Sequence, residues 1–195
     1  MSEPERTVSP ALLVATAETL RHLGPRQFSL TAVAEAAGVS RGTVHNALGS
    51  RDNAIKVALD HLTTAFIETV AAALEHETCL TGQVAAAAGV ICAHRQQSDS
   101  VIASGFNESI VVLLLRNTGD DLMRRSIELW KPRVRAAQER GEVGADIAPA
   151  RASEWIVRML MSFELLPPIG VNLDSPRAVK RFVSDHIVVG LTGRQ

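Results

Sequence analysis

The most constraining stretch of this sequence runs from Ser29 to Leu48, where two short apolar segments meet across a single glycine. Ser29 is placed to cap a first helix passing through Val33, Ala34 and Ala37 to Gly38. Ser40 is placed to cap a second, which opens Arg41-Gly42-Thr43-Val44 and ends near Leu48-Gly49. Two helices joined this closely need a small residue where they touch, a glycine able to take a positive φ in the turn, and an apolar residue locking the second helix onto the first. Ala34, Gly38 and Val44 stand at those positions, with Val33, Ala37, Val39 and Leu48 to fill the shared core. The spacing predicts a helix-turn-helix over about residues 29–48.

The flanking sequence is helical by period. A preceding helix has Ser9 as cap, Pro10 at its first position and Gly24-Pro25 as its stop. From Ser50 a long helix carries Ala54, Val57, Ala58, His61, Leu62, Ala65 and Val70 at three- and four-residue steps, fading near His76 to Cys79. Further helices are expected at Leu80 to Arg95, Ser100 to Arg116, Asp120 to Arg140, Pro149 to Phe163 and Ser175 to Leu191. Pro132 is expected to kink the third of these five runs, because it has no N–H for the carbonyl of Glu128. The β-branched runs Ile110-Val111-Val112 and Ile187-Val188-Val189 lie inside segments of helical period and are read as helix. The fold class is all-α with about nine helices: a three-helix N-terminal domain over 1–50 and a helical bundle over 51–195.

Composition narrows the function. With 46% hydrophobic and 21% charged residues the chain has the make-up of a globular protein. The formal net charge is −1, yet residues 21–56 hold five positive side chains (Arg21, Arg26, Arg41, Arg51, Lys56) against Glu35 and Asp52, so the basic excess coincides with the motif. No signal peptide and no uninterrupted apolar run of bilayer length is seen; Val84 to Ala93 and Ile110 to Leu115 are too short, and a cytoplasmic location without membrane contact is expected. Cys79 and Cys92 do not make a disulfide framework, and with His94 they are three candidate ligands lacking a fourth, so no metal and no cofactor are expected. Gly38-Val39-Ser40-Arg41-Gly42 matches the letters of a nucleophile elbow but follows a helix instead of a strand. No catalytic residues are assigned.

The stretch Ala36-Ala37-Gly38-Val39-Ser40-Arg41-Gly42-Thr43-Val44-His45, extended to Leu48-Gly49-Ser50-Arg51, closely resembles the signature of the TetR family of transcriptional regulators. The resemblance covers about residues 10–58. It departs from the family pattern at His45 and Ala47, where aromatic residues are usual, and more mildly at Leu48 and Arg51. A second family with an alanine-glycine-valine-serine turn, the lactose-repressor type, begins its motif at the N-terminus and continues into an α/β domain, unlike this chain.

The resemblance implies a DNA-binding face made of Ser29, Thr31, Ser40, Arg41, Gly42, Thr43, His45, Asn46 and Arg51, and a homodimer on a pseudo-palindromic operator. The chemistry is compatible: Arg41 suits guanine, Asn46 suits adenine, Thr43 suits phosphate or the thymine methyl, and Arg51 suits a phosphate. In the C-terminal bundle, Trp130, Met159, Phe163, His94 and Asn107 are candidates for a small, largely apolar effector's pocket, with Trp155 and Met161 nearby in pattern and Glu108 and Arg116 as further polar anchors. The wide apolar faces of the last two helices, with Trp155, Ile156, Phe182, Val183 and His186, are candidates for the dimer interface. The expected function is a repressor released from its operator by an effector. The competing class is an all-helical ligand-binding or scaffolding protein without DNA affinity.

Overall fold

The computed structural model describes residues 8–102 and 110–192, and the side chains of all of these except 97–102 and 110. The described residues form α1 (Pro10–Gln27), α2 (Leu30–Ala37), α3 (Arg41–Leu48), α4 (Arg51–Leu74), α5 (Leu80–Ile102), α6 (Ile110–Glu139), α7 (Pro149–Leu165) and α8 (Pro176–Phe182). A π-helical turn, Val183–Val188, and a 3-10 turn, Val189–Leu191, continue α8. Among the described residues there is no strand, so both β-branched runs are helical where they are described.

Local chemistry accounts for most boundaries. Ser9 caps α1 by accepting from the Leu12 N–H, and Pro10 opens it. Gly24 breaks the helix with φ 65° and ψ 169°, and one short turn follows to Gln27. The long α4 and α5 are helical through alanine- and leucine-rich sequence, with Ser50 capping α4 through the Asn53 N–H. A distant group serves α5: the Glu142 carboxylate, from the turn after α6, accepts from the Leu80 N–H at 2.6 Å.

Three elements differ from expectation. The run that sequence ended at Arg95 continues as α5 to Ile102. Of the helix expected over Ser100–Arg116, residues 100–102 belong to α5, and the part from Ile110 joins the one expected over Asp120–Arg140 as a single element interrupted at Thr118 (φ −140°, ψ 31°), where Asn117 and Thr118 side chains bond back to the Leu113 and Leu114 carbonyls. Pro132 keeps helical dihedrals, so the departure from helix lies at Thr118; beside the proline, the Arg133 guanidinium donates to the Leu129 carbonyl at 2.7 Å. The last expected helix loosens to π geometry after Phe182. Carbonyls there are engaged from outside: Trp155 Nε1 donates to the Ile187 carbonyl at 3.1 Å and the Gly144 N–H to that of Leu191 at 3.0 Å.

Packing places α4 between two groups of helices. It packs on α1 and α3 and also on α5 and α6, while α6 packs on α7 and α7 on α5. Ala54, Ala58, Leu62, Phe66, Val70 and Leu74 form its buried stripe. By length and composition alone α4 is apolar enough to cross a membrane, but Lys56, Asp60 and Glu68 stand exposed on it, and its buried stripe serves the protein's own core.

Candidate nucleic-acid interface and effector cavity

The motif closes as its spacing predicts. Ser29 accepts from the Ala32 N–H at 3.1 Å to start α2. Gly38 ends it with φ 64°, in the left-handed region, so that its own N–H reaches the Glu35 carbonyl and the Val39 N–H reaches that of Ala34 at 3.0 Å. This paired closure satisfies two carbonyls that a helix end leaves open, and it turns the chain sharply. Ser40 then starts α3 by accepting from the Thr43 N–H at 3.0 Å, with the two hydroxyls 2.9 Å apart. Val33 and Val44 are wholly buried, as nearly is Leu48, and Ala34 sits at the crossing. Val39, expected in that core, is 40% exposed, because the left-handed Gly38 swings it outward.

With one side of α3 locked down by Val44 and Leu48, its other side is open. Arg41, Gly42, Thr43, His45 and Asn46 are all exposed, as are Ser40 before the helix and Thr31 on α2; Ser29 is half-buried. A Cβ added at Gly42 would meet nothing nearer than Ser40 Oγ at 3.6 Å, which leaves the first turn of α3 accessible to backbone contact. Arg51 is differently placed. Its Nε donates to the Phe28 carbonyl at 2.9 Å, and Nη2 donates to that of Pro25, tying the start of α4 to the loop between α1 and α2. Sequence spacing put Arg51 beside the motif but carried no sign that this guanidinium would be spent on backbone carbonyls.

In the C-terminal bundle a small cavity of about 20 Å³ lies between α4, α5, α6 and α7. Phe66, Val70, Ile91, Trp130, Leu160 and Met161 lie on its wall, and Ser126 joins them from α6. Of the expected pocket residues Trp130 is there. Met159 is half-buried elsewhere on α7, and Phe163 is buried edge-on against Phe182, with ring centroids 5.8 Å apart. His94 is half-buried with its ring 5.7 Å from that of Phe66; burial, and then the Arg21 guanidinium of α1, hold its pKa below the ordinary value. Asn107 and Glu108 lie outside the described residues. Sequence reading passed over Ser126, although it stands one turn before Trp130 as a hydroxyl on an apolar stripe.

The proposed interface residues divide. Trp155 is 40% exposed, His186 is exposed, and Phe182 is half-buried between Phe163 and His186. Ile156 and Val183 are wholly buried inside the protomer, so the outward apolar surface at this end comes instead from Trp155, Leu165, Leu166, Ile169 and Val189. A helical stripe shows that a face is apolar without showing whether its own bundle already covers it. Burial also raises the Cys92 thiol pKa, while Cys79 is exposed and its sulfur accepts from the Gly82 N–H. Among the described residues no three His, Cys, Asp or Glu side chains converge as metal ligands.

A helix-turn-helix at the end of an all-helical bundle, with α4 shared between them, is the architecture these elements define. Solved structures share it across nearly the whole chain. The TetR family regulator CifR, a cysteine mutant solved with a 26-base-pair operator, superposes with a TM-score of 0.63 at 19% identity, over 94% of this chain and 99% of that one. FadR from Bacillus subtilis, solved with stearoyl-CoA, does so with 0.62 at 12% identity, over 91% and 98%. FadR from Bacillus halodurans gives 0.62 at 16% identity over the whole of both chains. No protein-family model and no curated protein matches the sequence. This chain therefore has the fold of the TetR-family transcriptional regulators, and the resemblance first carried by residues 10–58 extends to its tertiary structure.

Proposed function

We propose that this protein is a DNA-binding transcriptional regulator, a repressor that a small effector releases from a pseudo-palindromic operator. The observation that carries this reading is α3: locked to α2 by Val44 and Leu48, it leaves Arg41, Gly42, Thr43, His45 and Asn46 exposed together. Arg41 and Asn46 have the donors and acceptors for guanine and adenine edges, while Thr31, Ser40 and Thr43 suit phosphates. Ser29 and Arg51 position this surface, the first by capping α2 and the second by fastening α4 to the α1–α2 loop. Superposition on a regulator solved with operator DNA supports the same reading.

In this reading residues 1–50 read DNA and residues 51–195 sense the effector and dimerise, in the cytoplasm. Two copies joined through the apolar end of α7 and the turns after α8 would present their α3 helices about 34 to 36 Å apart, one turn of duplex. An effector bound in the α4–α7 bundle shifts that spacing through α4, and coupling of about 1 to 3 kcal/mol gives a switch of roughly 5- to 150-fold. No catalytic step is assigned.

Selection of bound sequences from random duplex DNA tests this. Recovery of a palindrome with half-sites one turn apart is expected, together with a dimer mass in dilute sedimentation. Absence of any salt-sensitive, sequence-selective binding would instead leave a helical ligand-binding or scaffolding protein.

A further inference from the structure

The last residue of α3, Leu48, is held at two points. Its side chain is buried at 1% exposure, and its carbonyl accepts from Asn53 Nδ2 of α4 at 2.9 Å. That carbonyl is one of the final four that a helix leaves without partners of its own. Only Gly49 and Ser50 separate the two helices. Gly49 has φ 68° and ψ −106°, a backbone state that glycine enters easily and that does little by itself to fix the angle between them. Asn53 is fixed in turn, its N–H donating to the Ser50 hydroxyl at 3.2 Å. The bonds between residues 48 and 53 therefore close a small ring around the joint.

We infer that Asn53 is a positioning residue for DNA recognition: its side-chain amide sets the attitude of α3 on α4, and with it the operator selectivity of Arg41, Thr43, His45 and Asn46. This rests on reading their exposed face as the one that meets DNA. In the same turn the Arg51 guanidinium fastens α4 to the Phe28 and Pro25 carbonyls. The first turn of α4 thus holds the reading head at both the α1–α2 loop and the end of α3. Base edges take hydrogen bonds only within a narrow geometry, whereas phosphates attract cations from a range of positions. Without the Asn53 amide, α3 visits angles that miss the base edges, and apparent operator affinity falls with the competent fraction. Attraction to phosphates is left intact.

Asn53→Ala deletes the donor, and Asn53→Leu puts an apolar group of similar size in its place. Asn53 is exposed and uncharged, so neither change leaves a cavity or alters the charge facing DNA. Each full-length variant is titrated by fluorescence anisotropy against the operator that the parent selects and against a scrambled duplex of equal length. Both are expected to bind the operator about fivefold more weakly, to bind the scrambled duplex within about twofold of the parent, and to keep the parent's salt slope. Equal losses on the two duplexes would make Asn53 a direct phosphate contact or a general stabiliser, and unchanged operator binding would make its bond idle; either result overturns the assignment. Hydrogen exchange of the DNA-free protein gives a second readout, with exchange in α3 expected to rise about fivefold in both variants and that in α2 to stay unchanged. Exchange in α3 equal to the parent's overturns the assignment as well. A parent that selects no sequence sinks the regulator reading, while the exchange rates still decide whether Asn53 holds α3.

Discussion

Arg125 on α6 donates to the Thr64 hydroxyl on α4 at 2.8 Å, and its second nitrogen lies 3.2 Å from the Asp60 carboxylate one turn earlier. Asp121, at 3.5 Å, steadies the same guanidinium from its own helix. These bonds cross the two helices that also wall the cavity, since Ser126 follows Arg125 and Ile67 lies one turn beyond Thr64. At its other end α4 is held to the α1–α2 loop by Arg51. Whatever parts α4 from α6 therefore loads a polar bridge and a fixed reading head together. Because Asp60 is largely exposed, Arg125→Met is expected to lower unfolding free energy by only about 0.5 to 1 kcal/mol. A double-mutant cycle with Asp60→Asn, read by denaturant unfolding, checks it; additive effects would show that the bridge does not hold the helices.

Arg41 and Arg51 are expected to separate cleanly. Arg41→Ala touches nothing internal, so its melting curve should match the parent within about 0.5 kcal/mol. In sequence selection it should relax preference at one operator position, by about 1 to 3 kcal/mol. Arg51→Ala removes two charged donors from the Phe28 and Pro25 carbonyls and should lower stability by about 1 to 2 kcal/mol. Its DNA binding should weaken evenly across sequences, and a normal melting curve with lost affinity would return Arg51 to direct phosphate contact.

Two glycine-to-alanine changes isolate backbone conformation from packing. A Cβ meets nothing within 4 Å at either Gly38 or Gly89, but Gly38 has φ 64° and Gly89 lies within α5. Gly38→Ala should cost about 1 to 2 kcal/mol from left-handed geometry alone. Gly89→Ala should be stabilising by about 0.5 to 1 kcal/mol, because alanine favours helix. Calorimetric melting of the two variants checks the opposite signs.

Acid is expected to weaken the packing of α5 against α4 at His94. Burial and Arg21 depress the His94 pKa, so the folded protein disfavours the imidazolium and binds fewer protons than the unfolded chain. The contribution is present above the ordinary value of 6.5 and is lost as pH falls through the lower folded value. The His94→Gln variant should lose less stability than the parent between pH 7 and pH 5. Equal losses in urea titrations at the two pH values would remove His94 from the account.

The cysteines should differ in reactivity. Cys79 is exposed at the start of α5, whereas Cys92 is buried with its thiol pKa raised. Native protein should take up a single iodoacetamide, at Cys79, and a second only after denaturation. Mass spectrometry of tryptic fragments reads both sites.

What the sequence determined by itself is local: Ser9, Ser29 and Ser40 as caps, Gly24 and Gly38 as stops, and Val44 and Leu48 as the buried side of α3. Each depends on hydrogen bonds or dihedrals within a few residues, which spacing encodes directly. Tertiary structure alone decided how chemically ambiguous side chains are spent. Arg51 turns to carbonyls more than twenty residues away, Arg125 reaches α4, Ile156 and Val183 face inward, and Ser126 joins Trp130 at a cavity shared by four helices. A helical period specifies a face and not its neighbour, and a cation is drawn to whichever acceptor the packing brings near. For that reason the motif was legible in the chain, whereas the cavity and the bridge beside it became visible only once the helices were packed.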